Sequence, residues 1–173
     1  MNLAFKHAND NELWKTRPPI DGRPCRRRLL WWCCLVRDRV LALGMRRPYR
    51  LHRGPFEEDL ISELDFSFEA ASYLATDIQS KRIAIFAFIW LCKLSEIMAA
   101  IAVFQRQSKF SREWNREQVG NNTSELDEVI AFDQKIKEWK DEFEDALEVF
   151  LNPSLCNTQD VPLPVSILRI VCK

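Results

Sequence analysis

The sequence predicts an all-α fold, an irregular multi-helical bundle. Three observations carry this. Leu126, Val129, Ile130, Ile136, Trp139, Phe143, Leu147 and Phe150 recur at three- and four-residue spacing, one apolar stripe on an otherwise charged helix. The segment "IAIFAFIWLCKLSEIMAAIAVF", Ile83 to Phe104, reads as a long buried helix. Strand-like alternation is scarce throughout. The chain has 173 residues, 47% of them hydrophobic and 29% charged, which suits one globular domain with a real core.

In chain order, residues 1–24 read as a ragged lead-in closing in the turn cluster "TRPPIDGRP". A helix starts near Cys25 and runs to about Leu43. Gly44 is placed to cap its C-terminus, and Pro48 forbids its continuation. Arg50 to Glu63 is a loop with "RGPFEED" as its turn, and "SELDFSFEAASYLA" forms a short helix. A long helix runs from about Asp77 to Gln107, and "KFSREWNREQVGNNTS" carries its tail into a loop at Gly120. Ser124 then acts as N-cap, with Asp127 three residues on as its capping-box partner. Asn152-Pro153 stops that helix. The segment 152–173, ending in "DVPLPVSILRIVCK", has neither cap nor polar tail and reads as truncated. The organisation expected is a lead-in over 1–24, a helical body over 25–151 and a C-terminal segment over 152–173.

Basic and acidic residues balance at 25 each, but unevenly. Arginines crowd the first third, from Arg23 to Arg53. Carboxylates crowd the stretch from Glu125 to Glu148. The N-terminal "MNLAFKHANDNELWK" has no apolar core of a signal peptide. The six cysteines (Cys25, Cys33, Cys34, Cys92, Cys156, Cys172) suggest reduced thiols in an intracellular protein rather than a disulfide framework. In the Ile83–Phe104 segment, Lys93 and Glu96 break the apolar run. Each charge at a bilayer centre costs roughly 2.5–3.5 kcal/mol. The segment is therefore expected inside a protein, with the two charges able to pair on one helix face.

The most informative stretch is "RRRLLWWCCLVRDRVLALGMRRP", Arg26 to Pro48. On a helix its Leu, Trp, Cys and Val residues cover every side, and a helix apolar all round is buried. Asp38 has no basic residue three or four positions away, so its partner must come from elsewhere. The loop arginines after Gly44 are candidates. A DNA-reading helix puts its arginines on one solvent-facing side, and a membrane-surface helix needs one clean polar face; this stretch has neither.

Arg27, Arg28, Leu30, Trp31, Trp32, Asp38, Arg39, Gly44, Arg47 and Pro48 together resemble the signature of the fungal-specific transcription factor domain, the middle homology region of fungal binuclear-zinc-cluster regulators. "RDR", "ALGMRRP" and the double tryptophan are similar to its cutinase-transcription-factor-like branch. "FIWLCKLSEIMAAIAVFQRQ" (Phe88–Gln107) and "IKEWKDEFEDAL" (Ile136–Leu147) are similar to later helices of that domain. The resemblance implies a fragment of a larger helical regulatory domain from a nuclear, non-enzymatic protein that modulates transcription by RNA polymerase II. Its motif residues would be structural. The loop "YRLHRGPFEEDLISEL" and the continuation "EDALEVF" depart from the family pattern. The family's DNA-binding module holds two zinc ions on six cysteines in paired Cys-x-x-Cys spacing, and this sequence has no such pairs. DNA contact is thus expected only through a module that this sequence lacks, with proteins of the transcription machinery as partners and no membrane.

Other chemistry leaves little trace. His7 and His52 fall in expected loops far apart. Gly22, Gly44, Gly54 and Gly120 form no phosphate loop. Cys33 and Cys34 read as buried small hydrophobes. No catalytic, metal or cofactor residues are assigned. Two further readings stay open: a helical interaction module docking through the acidic face of 125–148 or the basic loop 46–53, and a small-molecule sensor with a pocket between the tryptophan helix and the Ile83–Phe104 helix.

Overall fold

The computed structural model describes residues 2–14, 26–52, 60–67, 77–114 and 122–151. Among these the secondary structure is helical, as the periodicity predicts: α1 (Asn2–Asp10), α2 (Arg27–Gly44), a 3-10 turn (Glu63–Phe66), α3 (Ile78–Trp114) and α4 (Asn122–Phe150). The turn expected in "RGPFEED", most of the short helix expected within 62–75 and the segment 152–173 lie outside the described residues.

α3 organises the molecule. It is 37 residues long, about 55 Å at helical rise, and it buries two faces. Ile83, Phe86, Trp90, Leu94 and Met98 form one row, which packs on Trp139, Phe143 and Leu147 of α4. Cys92, with Ile85, Phe88 and Ile89, faces α2 and its neighbours. A helix covered on two sides keeps little polar surface, which is why its sequence looks like a membrane span. By length and composition Ile78–Ser108 is indeed long and apolar enough to cross a bilayer. Here it is the central strut between α2 and α4, with a charged pair at its middle described below.

α3 and α4 run antiparallel. Phe86 meets Phe143 and Phe150 near one end, with ring centroids 5.9 and 4.6 Å apart, and Phe104 meets Phe132 at 5.5 Å near the other. Between them Trp139 and Phe143 stack at 5.4 Å, and both present their rings to Trp90 edge-on. Such aromatic pairs each add about 0.5–1.5 kcal/mol beyond the area they bury.

The second core joins α1, α2, the loop after α2 and the 3-10 turn. Phe5 and Ala8 of α1 pack with Trp31, Trp32, Leu35 and Val36 of α2, and with Leu51, Ile61 and Phe66. The lead-in is thus not irregular over Asn2–Asp10. It forms a helix that closes this core, and His7 sits on that helix rather than in a loop. Its apolar content is too short for periodicity to show alone; the stripe becomes meaningful only against α2.

Three boundaries differ from expectation. Gly44 is the last helical residue of α2, not its left-handed cap. Arg46 takes that conformation, with φ 49. The Arg47 N–H then reaches back to the Ala42 carbonyl at 3.0 Å and that of Arg46 to Leu43 at 3.3 Å, which is a Schellman ending built on an arginine. α3 continues seven residues past Gln107, to Trp114. α4 begins at Asn122, so Ser124 lies inside the helix and is not its cap. Its apolar stripe is also only half used: Trp139, Phe143 and Leu147 are buried, whereas Leu126, Val129 and Ile130 are exposed.

Candidate functional site: the charged residues of the tryptophan helix

Trp31 and Trp32 are 1% and 2% exposed, so the double tryptophan is core. Trp14 packs against Trp31 with ring centroids 5.4 Å apart. Four charged residues of the same helix, Arg27, Arg28, Asp38 and Arg39, are the unusual part, because each holds a different segment against it, whereas Arg37 is exposed.

At the N-terminal end, the Arg27 guanidinium donates to the carbonyls of Asn11 and Glu12. These carbonyls follow the end of α1, where Glu12 turns the chain with φ 48, so a cation there meets the negative end of the helix. Arg28 donates to the Leu60 carbonyl at 2.9 Å and pairs with Asp65 at 3.2 Å. Asp65 in turn accepts the Ser62 backbone N–H at 2.8 Å, a capping box that shapes the 3-10 turn.

At the middle of the helix, Asp38 is completely buried. Its Oδ2 accepts the backbone N–H of Leu51 at 2.8 Å and that of Arg50. Its Oδ1 faces Arg47 at 3.8 Å, an ion pair too long for a hydrogen bond. The carboxylate therefore ties down the loop that follows its own helix. Arg39, 3% exposed, points to α3 instead. It donates to Ser95 Oγ at 3.1 Å and to Glu96 Oε1 at 2.8 Å, and the Ser95 hydroxyl in turn donates to the Cys92 carbonyl at 2.7 Å. Glu96 is thus engaged from α2. The partner available to it on its own helix, Lys93, lies 3.8 Å over the Trp90 ring.

Of the motif residues singled out in the sequence, the structure gathers Arg27, Arg28, Trp31, Trp32, Asp38, Arg39 and Arg47 into this inward-facing set. Gly44 and Pro48 are exposed at the end of α2. Sequence reasoning missed Ser95 and Leu51, both fully buried. Ser95 left one signal, a small polar residue between Lys93 and Glu96 where the apolar run breaks. Leu51 contributes a backbone N–H, which has no signature in sequence.

The arrangement contains no nucleophile paired with a base. Cys33 is exposed and Cys34 partly so, which corrects the reading of both as buried. Desolvation raises both thiols, and the neighbouring Cys34 raises Cys33 further. Burial first, then the Cys33 charge, pushes the Cys92 thiol far above its ordinary range. Thiols held protonated are poor nucleophiles and poor metal ligands. Among the described residues no group of three or more His, Cys, Asp or Glu is placed to share a metal ion.

The family model described as the fungal specific transcription factor domain matches residues 7–152, most of the chain and all of the elements above except the start of α1. This chain belongs to the fungal-specific transcription factor domain family. Cutinase transcription factor 1 beta from Fusarium vanettenii is 43% identical over 72 residues, covering 40% of this chain and 8% of the relative. A transcription factor from Fusarium pseudograminearum (strain CS3096) is 45% identical over 40 residues, 23% of this chain and 4% of the relative. Transcription factor cpaR from Aspergillus oryzae is 30% identical over 89 residues, 46% of this chain and 15% of the relative. The matches thus span at most 15% of these curated relatives. No solved structure matches the chain. In this member of the family the tryptophan helix is a bracing element: its charges other than the exposed Arg37 engage the neighbouring segments.

Proposed function

We propose that this chain is a regulatory-domain segment of a fungal zinc-cluster transcription factor, acting in the nucleus to modulate transcription by RNA polymerase II. Residues 25–151 are its structural body, with α1 added by the packing of Phe5 and Ala8. The observation that carries this reading is the family match across the α2 brace, joined to relatives named as transcription factors. The brace supports a framework role: Asp38, Arg39, Arg28 and Arg27 each secure one segment and leave no charge poised for chemistry. The chain carries no zinc and no catalytic group in this reading. DNA contact is made by a zinc-cluster module outside the sequence given, and the helical body conveys the regulatory state to protein partners.

Fusing the chain to an unrelated DNA-binding domain in a fungal reporter strain tests the proposal. The fusion should change reporter output relative to the DNA-binding domain alone, and Asp38→Ala should abolish that change. Purified chain should retain no DNA sequence selectively. A folded fusion without effect on the reporter, or selective DNA retention by the isolated chain, overturns the reading.

The interaction-module reading is favoured by one specific observation, the bare apolar residues at the start of α4. It is compatible with a regulatory segment and leads to the inference below.

A further inference from the structure

The solvent face of α2 is not simply polar. Leu30, Cys33, Arg37 and Val40 follow one another at three- and four-residue spacing, and all four are exposed, Leu30 by 55% and Val40 by 46%. This is the seam spacing by which one helix seats another. Its one charge is the Arg37 guanidinium. Asp38, the single acid of the helix, is buried on the opposite side and committed to Leu51.

The complement lies on the same chain. At the start of α4, Leu126, Ile130 and Asp133 repeat the four-then-three spacing, with Leu126 58% and Ile130 56% exposed and Val129 beside them. Here the charge within the seam is a carboxylate. Within one molecule the two seams do not meet: no Cα of α2 comes within 8 Å of one in α4, and α3 stands between them. Two exposed seams, each apolar but for one charge and the charges of opposite sign, call for a partner, and the chain carries both halves of the pair.

We propose that the Leu30–Val40 seam of α2 docks on the Leu126–Asp133 seam of α4 in a second copy of this chain. The register follows from setting the Arg37 cation against the Asp133 carboxylate. A parallel arrangement sets Leu30 on Leu126 and Cys33 on Ile130, and an antiparallel one sets Val40 on Ile130. Both leave Arg37 opposite Asp133. Asp133 holds Lys137 at 2.6 Å within its own helix, an exposed pair of the kind that contributes little and yields readily to a closer cation. A single helix-on-helix seam is small for a protein interface, so association falls in the micromolar range rather than the nanomolar.

Light scattering on the eluting full chain, over a concentration series, reads the association directly. Wild type should pass from monomer to a larger species in the micromolar range. Arg37→Glu and Asp133→Arg, both at exposed positions, should each raise the required concentration at least tenfold, and the two together should restore it. Circular dichroism verifies that each variant remains helical. A chain that stays monomeric throughout, or an association indifferent to both reversals, overturns the proposal. Either outcome assigns the two seams to other segments of a longer protein or to a different partner.

Discussion

Asp38 Oδ2 accepts the backbone N–H of Leu51 at 2.8 Å, and both residues are completely buried. A carboxylate in the middle of one helix thus sets the path of a loop 13 positions later in the chain. A buried ion is tolerated only when it is compensated, and here two backbone donors fill Oδ2 while Oδ1 faces the Arg47 charge at 3.8 Å without a hydrogen bond. Asp38→Ala would leave the Leu51 N–H and Arg47 without their acceptor. The expected loss is about 3–5 kcal/mol, enough to unfold a marginal domain. Asp38→Asn keeps one acceptor oxygen and should lose less, about 1–2 kcal/mol. Urea midpoints of the two variants check both the loss and its order.

Arg39 should rank differently from its partner Glu96. Arg39 is almost fully buried against α3, whereas the Glu96 side chain is 35% exposed. Arg39→Ala loses packing and two hydrogen bonds and should cost about 2 kcal/mol. Glu96→Gln keeps an acceptor for Arg39, and solvent already screens its charge, so the cost should be about 0.5 kcal/mol. Equal shifts in thermal midpoint for the two variants would contradict this ordering.

The end of α2 carries its glycine two residues too early. Gly44 is helical, and a methyl group added there would meet nothing within 4 Å. Gly44→Ala should therefore stabilise the protein by about 0.5–1 kcal/mol. Arg46 occupies the left-handed position with φ 49, where glycine avoids a Cβ clash. Arg46→Gly should add about 1 kcal/mol. The positions share one turn, so the double variant tests whether the gains add.

The start of α3 should loosen in acid. Asp77 accepts the Ser80 backbone N–H at 2.8 Å and the Ser80 hydroxyl at 2.6 Å. The Ser80 hydroxyl first, then its backbone N–H, hold the Asp77 carboxyl below its ordinary value of 3.8. A carboxylate depressed in the folded state stabilises it above the unfolded pKa, and that contribution fades as pH falls through the lower folded value. Amide exchange at Ser80 and Lys81, corrected for intrinsic rate, should speed up below the ordinary carboxylate range in wild type. Asp77→Asn should remove that pH dependence.

Much of the scaffold was legible in the sequence, because helix periodicity and chain breakers are local. The stripe ending in Trp139, Phe143 and Leu147 marked α4, and Pro48 with Gly44 bounded α2 to within two residues. The absence of a polar face around Trp31 and Trp32 required them to be inside. α1 escaped notice because nine residues carry too little pattern to count without the surface that covers them. The exposure of Cys33 escaped for a related reason: an all-apolar helix does not announce which side lacks a neighbour. The candidate site was legible only as a question. Asp38 visibly lacked a partner on its own helix, but nothing local named Leu51.

By itself the sequence determined that the chain is helical, where α2 and the body of α3 lie, and that an arginine-flanked Trp-Trp helix belongs in a core. These follow from the 3.6-residue repeat and from side-chain solvation, both set by near neighbours. The tertiary structure alone decided that Arg39 takes Glu96, 57 positions away, that Arg46 rather than Gly44 turns the chain, and that Leu126, Val129 and Ile130 stay bare. Those outcomes depend on which segments meet in space, and a repeat along one helix carries no information about which surface arrives to cover it.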